Sequence, residues 1–242
     1  MTRLSAVLIV GGRIPQVRSA MRSTRNQSLI LMGVALMIIV VAVGSFFYPP
    51  KSRPTVSRER GILEESVGYV AAEEAAKVLG DKGGGVTLIL PGTDEKYLRG
   101  SLGESYERGF RQRVVKYPAV RLMGHFLGQQ PLAQNQYNIP RFMTLGTLQA
   151  VRQKFPDAAL LVSFIGLPQF ERAEAGQWQS SSPPKMIVVD NAPLMPGVLE
   201  LHFSLGFVQT VLLRKPDVEI PKEKMGGTPQ EIFERFFEVL TP

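Results

Sequence analysis

With two histidines, 21 aspartates and glutamates and no cysteine, the 242 residues restrict the chemistry open to this chain before any element is drawn. The missing thiols remove disulfides, thiolate metal sites, cysteine nucleophiles and a lipoprotein anchor together, and leave the redox compartment open. His125 and His202 are far apart in sequence and neither has a partner at metal-ligand spacing, so no metal ion or cofactor is expected. His202, in the apolar context "ELHFSLGF", reads as a packed side chain. A Ser/His/Asp arrangement using His125 and Asp190 is conceivable because strand ends meet in space, but no serine stands out as its nucleophile. The stretch "GDKGGGV" precedes a strand and lacks the Gly-Lys-Ser/Thr ending of a phosphate loop, so it reads as a glycine turn. Gly100, Gly103 and Gly109 do not make G-x-G-x-x-G; Ser101 and Glu104 make a capping box instead. No G-x-S-x-G elbow is present. Trp178 lies in a Gln- and Ser-rich loop, "AGQWQSSSPP", where it is either an exposed stacking residue or a tryptophan laid on the surface.

The remaining candidates are defined by where strands end. Short, mostly apolar runs occur at Val86 to Leu90, Ala119 to His125, Ala158 to Phe164, Lys185 to Asp190 and Phe207 to Leu213. Runs apolar on both faces predict a covered sheet. Helical stretches at 101–116 and 144–155, with a weaker one between Pro196 and Leu205, separate them. The expected fold is a three-layer α/β domain with a mostly parallel five-stranded sheet. Ligands in such sheets gather beyond the strand C-termini. That rule selects Thr93, Asp94, His125, Asp190 and Asn191, with Gly92, Gly166, Arg214 and Lys215 beside them. The competing reading gives the same residues ordinary cap and turn roles.

Two helices frame this unit. From Gly61, apolar residues at Ile62, Leu63, Val67, Val70, Ala71, Val78 and Leu79 fall at helical spacing and stop at Gly80. This helix docks on the domain or pairs with a second copy through residues 61–80. At the other end Thr228, Pro229 and Glu231 form a capping box, and the apolar face of Ile232, Phe233, Phe236, Phe237 and Leu240 predicts one helix to Leu240.

The N-terminal quarter is of another kind. Residues 1–28 hold five arginines and no acid. Leu29 to Tyr48 are 20 residues without a charge, reaching ~30 Å at ~1.5 Å per residue, one bilayer core. A single transmembrane helix over 29–48, in contact with membrane lipid, is expected, followed by a Pro/Ser/basic linker over 49–60 and the α/β domain over 61–242. Ala42-Val43-Gly44 keeps a cleaved signal peptide as the rival reading, and translation from Met21 would shorten the arm. Basic residues nearly balance across the span, Arg13, Arg18, Arg22 and Arg25 against Lys51, Arg53, Arg58 and Arg60. The long domain is placed outside the cytoplasm because long domains cross largely regardless of charge. Past residue 60 the chain carries 19 basic and 20 acidic residues, so the overall charge of +7 resides around the span. The domain has no footprint for nucleic acid.

Between residues 85 and 215, the succession "VTLILPGTDEKYLRGSLGESYERGFRQRVVKYPAVRLMGHF", with its Tyr-x-x-Gly-Phe helix core, resembles one lobe of the type I periplasmic, sugar-type binding proteins. The resemblance implies ligand contacts at Thr93, Asp94 and Tyr97 and gives the strand-ending Asp190 a similar role. That family encloses its ligand between two lobes, and only one fits here. Three readings follow: a membrane-anchored extracytoplasmic binding domain for a small solute or partner protein, without enzymatic activity; a structural or assembly subunit of the envelope; and a hydrolase or transferase using His125 and Asp190.

Overall fold

Apolar strands with no polar face must be covered on both sides, and the computed structural model shows the layers that cover them. It describes residues 57–92, 94–95, 98–128, 143–169, 172–191, 197–216, 218–220 and 225–242. The arm at 1–28, the span expected at 29–48, the alternative cut after Gly44, Thr93 and Tyr97 lie outside the described residues. Among the described residues no helix is long and apolar enough to cross a membrane.

The strands are β1 (Gly84–Pro91), β2 (Val120–Gly128), β3 (Ala158–Ser163), β4 (Lys185–Asp190), β5 (Val208–Arg214) and β6 (Phe237–Leu240), in the spatial order β2-β1-β3-β4-β5-β6. Pairing is parallel except between β5 and β6. The helices are α1 (Arg58–Leu79), α2 (Leu102–Val114), α3 (Leu145–Lys154), α4 (Arg172–Ser180), α5 (Val198–Ser204) and α6 (Pro229–Phe236). One face of the sheet, with Val86, Leu88, Leu90, Ile187 and Val189, shares a core with α1, α2 and α6. The other, with Ile89, Met186 and Val188, shares one with α3 and Trp178 of α4. The three-layer α/β expectation therefore holds, with six strands where five were expected.

The sixth strand comes from residues expected to be helical. α6 opens as read, with Thr228 as N-cap, Pro229 at the first position and Glu231 closing the capping box. It stops at Phe236, because Phe237 turns to φ −131°, ψ 161°. Four extended residues then pair Leu240 with Val211 and Phe237 with Arg214. The physical reason is the edge of β5, whose backbone groups need a partner that a longer α6 would not supply. Phe237 and Val239 suit extended backbone, so local preference and edge pairing act together.

α1 begins at Arg58, ahead of the expected Gly61, because the Ser57 hydroxyl accepts from the Arg60 N–H at 3.3 Å. It stops at Gly80 as expected. Leu63, Val67, Val70, Ala71, Ala72 and Ala75 are buried against the body, so the apolar face considered for pairing with a second copy is already covered. Glu64 and Glu74 are buried too, at 4% and 6% exposure, and are kept tolerable by Arg60 at 3.6 Å and Lys77 at 2.5 Å respectively. α1 and α2 run side by side with backbones almost touching. A Cβ on Gly68 would sit 2.0 Å from the Tyr106 carbonyl oxygen, and one on Gly109 would sit 1.9 Å from that of Glu65. Only glycine allows this approach.

The Gln- and Ser-rich stretch is the other correction. It forms α4, and Trp178 is neither exposed nor on a loop but 2% exposed within the second core. The indole dominates because burying so much apolar area outweighs the weak helix preference of its neighbours.

Candidate functional site

Parallel order β2-β1-β3-β4 means that the chain leaves β1 toward one side of the sheet and leaves β2 toward the other. In parallel sheets of this order ligands gather at such a switch point, here between β1 and β3, beyond the strand C-termini. What lies there is fixed first by the β3 exit. Ser163 is buried, donates through its hydroxyl to the Gly166 carbonyl at 2.9 Å and accepts from the Ile165 N–H at 3.3 Å, folding the chain back at once. Phe164 is stacked on Tyr106 of α2 with ring centroids 4.4 Å apart. The His202 ring holds the end of this turn, one nitrogen 2.7 Å from the Pro168 carbonyl and the other 2.8 Å from that of Val198. At 7% exposure His202 is the packed histidine expected.

Two groups of polar side chains lie on either side of β1 and β3, one toward β4 and one toward β2. On the β4 side Asp190 ends its strand as expected and accepts from the Leu167 N–H at 3.4 Å, while the Asn191 amide donates to the Tyr106 hydroxyl at 3.4 Å. On the β2 side one nitrogen of His125 lies 3.1 and 3.2 Å from the two carboxylate oxygens of Glu95, and the other lies 3.3 Å from Glu107. Arg111 in turn donates to the same Glu107 carboxylate at 2.6 and 2.9 Å. Asp94 is half-buried in the turn after β1.

His125 does not close its strand. β2 continues to Gly128, and His125 is level with Leu88. Its direction comes from a bulge. Val86 pairs with Leu122 and Thr87 with Gly124, so Met123 is skipped and later side chains change face. Val120, Leu122 and Leu127 all face α1 and α2, and His125 shares that face. Asp190 has the alternation of Met186 and Val188, which face the opposite layer.

His125 and Asp190 are therefore not brought together. They are three strand spacings apart in the sheet order, ~14 Å at ~4.8 Å per strand, and on opposite faces. Both His125 nitrogens already face carboxylates, Glu95 on one side and Glu107 on the other. Among the described residues no group of three histidines and carboxylates could hold a metal ion. The polar groups near this edge are carboxylates, an amide and an imidazole held in place by their neighbours, with the Tyr106 phenol buried behind Asn191 as its hydrogen-bond partner.

Of the residues expected from the sequence, the structure describes Asp190, Asn191, Asp94 and His125, and it adds Glu95, Tyr106 and Glu107 as neighbours that the sequence reading did not name. The signal for the last two was available, since the helix that follows β1 must start at this edge. The Tyr-x-x-Gly-Phe core has a structural use here: Tyr106 and Phe110 are buried and Gly109 meets α1. Arg214 and Lys215 serve the C-terminal region, donating to the Val218 carbonyl at 3.2 Å and the Glu234 carbonyl at 2.6 Å.

No protein-family model and no curated protein matches this chain. Among solved structures it is similar to AraP, an arabinose-binding protein from Geobacillus stearothermophilus, at 22% identity and a TM-score of 0.43, over 62% of this chain and 45% of that one. It is likewise similar to an ABC transporter solute-binding protein from Burkholderia graminis in complex with D-arabinose, at 15% identity and a TM-score of 0.43, over 62% of this chain and 47% of that one. A sugar-binding protein from Bacillus halodurans matches at 16% identity and a TM-score of 0.43, over 62% and 45%. The chain spans about half the length of these structures.

Proposed function

We propose that this chain is a membrane-anchored binding domain without enzymatic activity, held by residues 29–48 with its α/β body outside the cytoplasm, and that it takes a small polyhydroxylated solute at the β1/β3 switch point. The observation that supports the reading is the strand order, whose β1/β3 switch point has Asp190 and Asn191 at the end of the neighbouring β4 and Glu95 in the segment after β1. Each carboxylate oxygen accepts more than one hydrogen bond, so Asp190 and Glu95 take solute hydroxyl groups beside the partners they already hold, the Leu167 N–H and the His125 ring. The Asn191 amide both donates and accepts, which suits vicinal hydroxyls. Thr93 and Tyr97, outside the described residues, join the proposal only as contacts that the family resemblance implies.

The test is a calorimetric titration of the full chain in a neutral detergent with a panel of aldopentoses and aldohexoses. At least one sugar is expected to bind, with Asp190→Ala and Asn191→Ala each weakening it about tenfold through loss of hydrogen bonds. A panel without a binder, or variants that bind as the parent does, would refute the reading.

A further inference from the structure

We infer that the opposite edge of the sheet, where β3 and β4 begin, carries a second site, for a phosphate group on a small organic solute or a lipid headgroup. A cavity of about 430 Å³ opens there, between the turn after α1, the end of α3 and the segment entering β4. Lys82, Arg152 and Lys185 line it, each from a different part of the chain, and no carboxylate does. Arg152 is held by the Ser181 hydroxyl at 2.8 Å, and that hydroxyl is itself fixed by donating to the Trp178 carbonyl at 2.7 Å. That bond occupies one end of the guanidinium, toward a neighbouring cavity that Arg152 and Ser181 both line, and limits the orientations the side chain can adopt. Neither Lys82 nor Lys185 has a carboxylate partner among the described residues.

The plain alternative is that these cations only offset the negative C-terminal ends of α1 and α3, which reach the same edge. Magnitudes decide against it. Each helix end contributes about half a negative charge, so two ends cancel about one of the three positive charges and leave about two over. A phosphate monoester carries about that charge with opposite sign at neutral pH. Arginine's planar fork matches phosphate oxygens in pairs, and lysines serve as point charges beside it. Ser182 also lines the cavity with φ 51°, the one non-glycine residue with positive φ among those described. Leu79, Phe155 and Leu161 form an apolar wall for the carbon portion.

The experiment titrates the full chain in neutral detergent with phenyl phosphate, with inorganic phosphate and with water-soluble dihexanoyl phosphatidylglycerol, each against sodium chloride of equal ionic strength. Saturable binding of phenyl phosphate is expected, about tenfold weaker in Arg152→Gln and in Lys82→Gln/Lys185→Gln. Lys116→Gln, in a separate cavity that also holds Glu73 and Asp81, is expected to bind like the parent. Preference for phenyl phosphate marks a free solute and preference for the short-chain lipid marks a headgroup; both support a phosphate site. No saturable binding, equal affinity in parent and variants, or equal loss in Lys116→Gln overturns it. Melting temperatures without ligand, expected unchanged in the lysine variants, keep misfolding from imitating the loss.

Discussion

At Met123 the pairing of β2 with β1 skips a residue, and one skipped residue decides that His125 meets Glu107 rather than the opposite layer. Gly124 makes the bulge affordable with φ 143°, where a side chain is strained. Gly124→Ala is expected to lower stability by about 1 kcal/mol, read as a fall in the melting temperature of the full chain. The larger glycine effect belongs to Gly109, whose replacement by alanine drives a methyl into the Glu65 carbonyl and is expected to cost about 3 kcal/mol. Gly176, inside α4 with nothing within 4 Å of a new Cβ, predicts the reverse: Gly176→Ala stabilises by about 0.8 kcal/mol. Asp190 was legible because it ends an obvious strand. The facing of His125 was not, because a bulge leaves no mark on composition and inverts the alternation from which facing is read.

Elements followed the sequence wherever a local signal and the tertiary demand agreed. The capping box of α6 is one such place. There the Thr228 backbone N–H, then its hydroxyl, hold the Glu231 carboxyl below its ordinary value. A lowered carboxyl stabilises the fold above its unfolded value and loses that contribution as pH falls through the folded one. Melting of Glu231→Gln is therefore expected to fall less steeply with acidification than that of the parent. Thr228→Ala is expected to cost about 1 kcal/mol at neutral pH. Where the two demands diverged, tertiary structure won. The apolar face of α6 continues in sequence to Leu240, but the open edge of β5 takes Phe237–Leu240 as a strand. In α4, a composition of glutamines and serines hid a helix whose purpose is to place Trp178 in the core.

For the molecule, alternation of strand and helix announced the three layers, since near-continuous apolar strands have no other stable arrangement. Strand order was not in the sequence, because order depends on where each crossover lands, and with it came the switch point on which the functional reading rests. Order also set His125 and Asp190 three strands apart, and the bulge in β2 turned them to opposite faces, removing the geometric basis for a shared catalytic role. The account predicts recognition at one edge of the sheet, with the charge-bearing cavity at the other edge a separate matter. Its most direct test is hydrogen–deuterium exchange of the full chain with and without a sugar identified by titration. Protection is expected at 163–167 and 188–191, around the β3 exit and the end of β4. Protection that appears only elsewhere, or none at saturating sugar, would contradict the account.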